Sequence, residues 1–178
     1  MKPLRILVDD VNTRSAAQMG MVKTGGNYAA ALGPTLQACA KHQVDQVLFC
    51  PGGQVQETGA ANFFLIRDKE LMTRSLDSSF LHGVTRDSLL SIGRDLGFKV
   101  LERAFDVPEM LDWVKGGEAA LSGTAAVLAG VGTLIYRGAE HRVGSGEVGA
   151  ITKMLRTHLV GVQQGEQPDR HGWLERVV

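Results

Sequence analysis

Glycine is the feature that most limits what this chain can become. It supplies 22 of the 178 residues, about 12% against an ordinary ~7%, and it falls in clusters such as Gly25-Gly26 and Gly52-Gly53. Clustered glycines let the chain take positive φ or let backbone approach a ligand closely. The alternative is a loop-rich α/β domain with no such site, and composition does not separate the two. The length suits one domain with a real core. Lys plus Arg number 19 and Asp plus Glu 19, so the basic footprint of a nucleic-acid binder is missing. Cys39 and Cys50 form neither a disulfide framework nor a zinc module, and are read as reduced thiols of a cytoplasmic protein. The start, Met1-Lys2-Pro3-Leu4-Arg5, fits no secretory leader. Ala119 to Tyr136 carries no charge over eighteen residues, the lower edge of membrane-span length. Its glycines and hydroxyls instead suggest two short buried segments joined by a glycine turn, and no membrane span.

Apolar runs and punctuation predict strands over Leu4–Val8, Val44–Cys50, Asn62–Ile66, Glu70–Thr73, Lys99–Phe105 and Thr133–Tyr136. Glu118–Leu121 leads into Ser122-Gly123-Thr124-Ala125. Helices are predicted over Asn27–Gln43, kinked or divided at Gly33-Pro34, over Thr85–Leu96 with Gly97 as its stop, over Val107–Val114 and over Val148–Gln164. Asn12–Val22 reads as a loop, and Gly165–Val178 as a polar tail. Strands and helices interleave without strict βα alternation, so the expected class is α+β, or mixed α/β, in one domain over residues 1–178.

The chain has no P-loop, no G-x-G-x-x-G, no G-x-S-x-G and no H-E-x-x-H. Its five histidines are scattered and are read as structural, with no metal implied. Four segments place small residues beside a reactive group. Val22-Lys23-Thr24-Gly25-Gly26 carries a lysine whose ammonium, if desolvated, becomes a nucleophilic amine; it is otherwise a surface lysine before a helix. Glu57-Thr58-Gly59-Ala60-Ala61 carries a carboxylate ahead of an aromatic strand, or else a turn glutamate in solvent. Gly83-Val84-Thr85 opens a helix whose free amides attract anions, or is an ordinary helix start. Ser122-Gly123-Thr124-Ala125 is a backbone nest or a tight turn. Together, a lysine, an acid and a two-part anion site are what a pyridoxal phosphate enzyme needs, and the phenol of Tyr28 follows the lysine by five residues.

Those segments resemble the branched-chain amino acid aminotransferases, within the fold-type IV (class IV) pyridoxal phosphate enzymes. The likeness covers essentially the whole chain. It rests on Lys23-Thr24-Gly25-Gly26-Asn27-Tyr28-Ala29-Ala30, Glu57-Thr58-Gly59-Ala60-Ala61-Asn62-Phe63-Phe64, Gly83-Val84-Thr85-Arg86-Asp87-Ser88 and Ser122-Gly123-Thr124-Ala125-Ala126, and on the closing Pro168-Asp169-Arg170-His171-Gly172-Trp173. It implies the cofactor-binding domain of that fold and reversible amino transfer between Leu, Ile or Val and 2-oxoglutarate. D-amino acid aminotransferases and aminodeoxychorismate lyases share the machinery and are the rival readings. A catalytically silent fragment is a third. The resemblance makes Lys23 the Schiff-base and proton-transfer lysine, Glu57 the partner of the pyridinium nitrogen and Tyr28 the contact to the ring hydroxyl. The phosphate falls to the amides of Val84 and Thr85 and the hydroxyls of Thr85 and Thr124, the substrate carboxylate to the amides of Thr124 and Ala125. Two departures are expected: the thiol switch of some animal members is replaced by Ala126, Val127 and Leu128, and the family's smaller N-terminal domain is absent, so this chain alone is incomplete. The family's active sites lie near dimer interfaces, which implies a homo-oligomer.

Overall fold

In the computed structural model, which describes residues 1–16 and 18–177, alternating and apolar runs assemble one mixed sheet of eight strands. The strands are β1 (Leu4–Asp9), β2 (Gln46–Phe49), β3 (Asn62–Arg67), β4 (Glu70–Thr73), β5 (Lys99–Glu102), β6 (Glu118–Gly123), β7 (Val127–Tyr136) and β8 (Ala139–Arg142). Their order is β2-β1-β7-β6-β3-β4-β5, with β8 also paired to β7. β1 is parallel to β2 and β7, and β4 is parallel to β5; the remaining pairs are antiparallel. Four helices complete the fold: α1 (Gly25–His42), α2 (Val84–Asp95), α3 (Val107–Gly116) and α4 (Ala150–Gln163). The mixed sheet agrees with the class read from the sequence.

Side chains of successive strand residues point to opposite faces, so Phe63 and Leu65 enter one core and Phe64 and Ile66 another. On the first face they meet Met110, Trp113 and Val114 of α3. On the second they meet Leu89, Leu90 and Ile92 of α2 and Leu155 and Leu159 of α4. Leu7, Val47, Phe49 and Ile135 pack with Ala31 and Ala38 of α1. The small-residue stretch 119–136 is the antiparallel β6–β7 pair. β7 is ten residues long, not the four expected, because Ala129, Gly130 and Gly132 hide its apolar period. The register against β1 shifts between Leu4–Val131 and Arg5–Thr133, leaving Gly132 unmatched, where a Cβ would lie 2.3 Å from the Gly146 carbonyl oxygen.

Two other expectations change. α1 runs through Gly33-Pro34 as a single helix and starts at Gly25, not Asn27. β8 was not anticipated: Ala139, Glu140, His141 and Arg142 carry no strand pattern, and backbone pairing with β7 together with the Arg5–Glu140 ion pair places them. Among the described residues no helix is long and apolar enough to cross a membrane.

Candidate active site

The site lies where β3 begins and β6 ends, between the loop leading into α1 and the start of α2. Asn27, buried in the first turn of α1, donates through Nδ2 to the carbonyls of Met19 (2.7 Å) and Val22 (2.8 Å). These bonds close the loop directly before Lys23. Gly20 ties the same loop to the chain ahead of α2: its amide donates to the Ser78 carbonyl at 3.1 Å. A Cβ there would sit 2.1 Å from the Ser79 carbonyl carbon, so only glycine permits this approach.

Glu57 is held by its own turn. The Thr58 hydroxyl accepts from the amides of Ala60 (3.4 Å) and Ala61 (3.1 Å), folding the chain back so that Glu57 bridges to Asn62 at the start of β3. Glu57 is only 2% exposed. Its Oε2 accepts from Asn62 Nδ2 at 2.9 Å, and its Oε1 accepts from the Leu81 amide at 2.9 Å and is ion-paired with Arg14 Nη1 at 2.9 Å. Burial pushes the Glu57 carboxyl up to about 7, while the Arg14 charge and the Leu81 amide pull it back down. This glutamate is not a solvated turn residue.

The start of α2 faces the same space. The first amides of a helix have no intrahelical acceptor. In α3 the Asp106 carboxylate takes the Glu109 amide at 2.9 Å, and in α4 the Glu118 carboxylate takes those of Ile151 (2.9 Å) and Thr152 (2.7 Å). α2 is preceded by Gly83 and has no side-chain cap, which leaves its amides and the positive end of its dipole to whatever enters. Gly83 is obligatory in another sense: a Cβ there would lie 2.2 Å from Asn62 Oδ1. Opposite, the β6–β7 turn brings Thr124 and Ala125, and just before it the buried Ser122 Oγ has no hydrogen-bond partner among the described residues.

The result is one cavity of about 320 Å³, lined among others by Lys23, Tyr28, Glu57, Val84, Thr85, Thr124 and Ala125. All seven residues singled out in the sequence therefore meet, although they span a hundred positions of chain. The volume falls within the ~300–1,000 Å³ usual for small-molecule sites. The arrangement offers an amine at the rim, a buried acid, and amides and hydroxyls for an anion. One expectation is corrected. Of the two readings, the surface lysine is what the described residues show: Lys23 is exposed at the cavity rim, so the desolvated setting is not found there. Sequence reading also missed Arg14, the Asn62 amide and the Leu81 backbone. Asn62 sat inside a recognised segment and could have been asked for its role; Arg14, in a loop of small polar residues, gave no signal. No group of three His, Cys, Asp or Glu that could hold a metal occurs among the described residues.

A lysine at the rim, a buried acid and an uncapped helix start are thus arranged around one cleft. Residues 2–133 match the family described as amino-transferase class IV, and the chain belongs to that family. It is 39% identical over 181 residues to a probable branched-chain-amino-acid aminotransferase of Streptomyces coelicolor, covering 98% of this chain and 50% of that protein. Among solved structures it resembles the branched-chain amino acid aminotransferase from Escherichia coli, with TM-score 0.83 and 29% identity over 99% of this chain and 58% of that one. It likewise resembles the pyridoxal phosphate form of the enzyme from Thermobaculum terrenum, with TM-score 0.81 and 27% identity over 97% of this chain and 55% of that one. The chain thus spans about half the length of the curated relatives it matches.

Proposed function

We propose that the chain is the cofactor-binding part of a branched-chain amino acid aminotransferase, which moves the amino group of Leu, Ile or Val to 2-oxoglutarate with pyridoxal 5′-phosphate. The observation that carries this reading is the convergence of Lys23, Glu57 and the uncapped start of α2 on one cavity. The residues present fit that cofactor. A buried acid held by fixed donors suits a cationic ring nitrogen, while the free amides of α2 and the unpartnered Ser122 Oγ suit a group rich in acceptor oxygens.

When bound, pyridoxal phosphate supplies an aldehyde for an amine and a ring that accepts electrons from the substrate's α-carbon. The chain's own residues do the rest. Lys23 provides the amine that anchors the cofactor and, once released from it, carries a proton to and from the α-carbon. Glu57 stabilises the protonated ring nitrogen, and Tyr28 hydrogen-bonds the ring hydroxyl. The amides of Val84 and Thr85 and the hydroxyls of Thr85 and Thr124 hold the phosphate, and the amides of Thr124 and Ala125 take the substrate carboxylate.

The cavity is open on the side of Lys23, Tyr28 and Val84, all exposed. We assign the missing wall, together with much of the side-chain pocket, to the smaller N-terminal domain of the same enzyme. The exposed Leu32 and Leu36 of α1 support association with a second copy, and the free thiols Cys39 and Cys50 support a reducing cytoplasm. Incubation with pyridoxal phosphate followed by borohydride reduction should leave the adduct on the peptide containing Lys23. An adduct confined to Lys2, Lys41 or other lysines overturns the assignment. Leucine:2-oxoglutarate transamination should be weak for this chain and rise when the N-terminal domain is supplied; full activity of the purified 178-residue chain alone would refute the two-domain reading.

A further inference from the structure

We propose that Arg14 is a positioning residue of this site, a buried guanidinium that orients Glu57 and favours its carboxylate form so that it can receive the protonated ring nitrogen of the cofactor. The inference rests on the pyridoxal phosphate reading above. Arg14 stands outside every segment that carried the family resemblance, yet it is 1% exposed and lies 2.9 Å from Glu57 Oε1. Its Nη1 also donates to the Gly20 carbonyl at 3.3 Å. The amide of that same glycine is bonded to Ser78, so the guanidinium is held by the loop that delivers Lys23.

Stability alone does not account for this arginine. A buried ion pair gains little over a well-packed apolar pair. This one also leaves Arg14 Nε buried without an acceptor among the described residues, which costs free energy rather than adding it. What the pair does do is fix the Glu57 carboxyl in place and oppose the effect of its burial. Burial drives that carboxyl toward its neutral form, and a guanidinium, which stays charged at any physiological pH, opposes it. The groups facing Glu57 are Arg14 from the loop, Asn62 from β3 and the Leu81 amide from the chain before α2; Lys23, Tyr28 and His82 line the same cavity. No second carboxylate lines it among the described residues. A carboxylate offers about four lone-pair positions. Leu81 and Asn62 engage two and Arg14 is ion-paired at Oε1, which leaves room for a further cationic donor.

The test uses the 178-residue chain with Arg14→Met and Arg14→Lys. Two readouts are taken: the carboxyl titration of Glu57 by carbon-13 NMR without cofactor, and binding of pyridoxal phosphate against its deaza analogue, in which the ring nitrogen is a carbon. Arg14→Met should move the Glu57 midpoint upward by about one pH unit or more. It should weaken pyridoxal phosphate at pH 8 about tenfold while leaving the deaza analogue unchanged, and Arg14→Lys should restore most of both. An unmoved midpoint, or equal weakening of the two ligands, overturns the role of Arg14. If Arg14→Met does not fold, Arg14→Lys decides alone: a midpoint close to wild type supports the role, and one shifted as far as burial alone would take it refutes it. A wild-type chain that binds neither ligand overturns the cofactor reading itself, a result distinguishable from failure of the Arg14 arm.

Discussion

Glu57 makes the stability of the cofactor-free chain depend on pH in a direction opposite to most carboxylates. Its folded-state value is pushed up to about 7 against an ordinary 4.5, so between those limits the folded protein holds a proton that the unfolded chain has released. Stability then falls as pH rises through that window and levels off above it. A shift of that size corresponds to about 3 kcal/mol, or roughly 6–12 °C in Tm for a chain of this length. Asp10, Asp77 and Glu109 act with the opposite sign, since hydrogen bonds and arginine neighbours hold their carboxyls low. They must be subtracted, and Glu57→Gln does so. The substitution leaves Arg14 facing an amide, which adds a constant offset but no slope. Urea unfolding of both chains from pH 5 to 8 should give a wild-type-minus-variant difference that declines by about 2.5 kcal/mol. Saturating pyridoxal phosphate should flatten that decline, because a second cation beside Glu57 draws its midpoint down. A difference that is flat without cofactor would mean that Arg14 outweighs burial and that Glu57 is anionic throughout.

Two further outcomes follow from contacts near the site and beneath it. Gly83→Ala would drive a methyl into Asn62 Oδ1, displacing the Nδ2 donor that Glu57 and the Leu81 carbonyl share; it should cost about 1–3 kcal/mol in urea unfolding and weaken pyridoxal phosphate binding. Glu118→Gln removes the charge that caps α4 through Ile151 and Thr152; it should cost about 1–2 kcal/mol and leave cofactor affinity unchanged, because Glu118 lies outside the cavity.

The sheet was legible where burial imposes a period and illegible where it does not. β1, β3, β4, α2 and α3 announced themselves through apolar spacing bounded by Gly97, by the Arg67-Asp68-Lys69 turn or by Pro108. β7 did not. Its middle is built of Ala129, Gly130 and Gly132 because Val148, Pro3 and the Gly146 backbone press on it, and small residues carry no hydrophobic alternation. Pro34 was read as a break in α1, yet the helix continues through it. That residue lies on the same face as the buried Asn27, Ala31 and Ala38 and is itself partly buried, and the packing of that face against β2 and β7 outweighs the lost hydrogen bond.

The site divides along the same physical line. Residues presented by backbone or by a short turn are marked in local sequence by glycine, Gly83 ahead of α2 and Gly123 beside Thr124. The charge state of Glu57 is not local. It depends on how completely the fold excludes water around it, Glu57 being almost wholly buried, and on a guanidinium 43 positions upstream that only the folded loop brings within 2.9 Å. Lys23 shows the converse. Its glycine setting suggested a desolvated amine, but desolvation belongs to whatever covers the rim, and this chain leaves the rim open. Among the described residues the acid has buried partners, whereas the amine lies at an exposed rim. Closing the cavity should accordingly change the reactivity of Lys23 far more than the charge of Glu57.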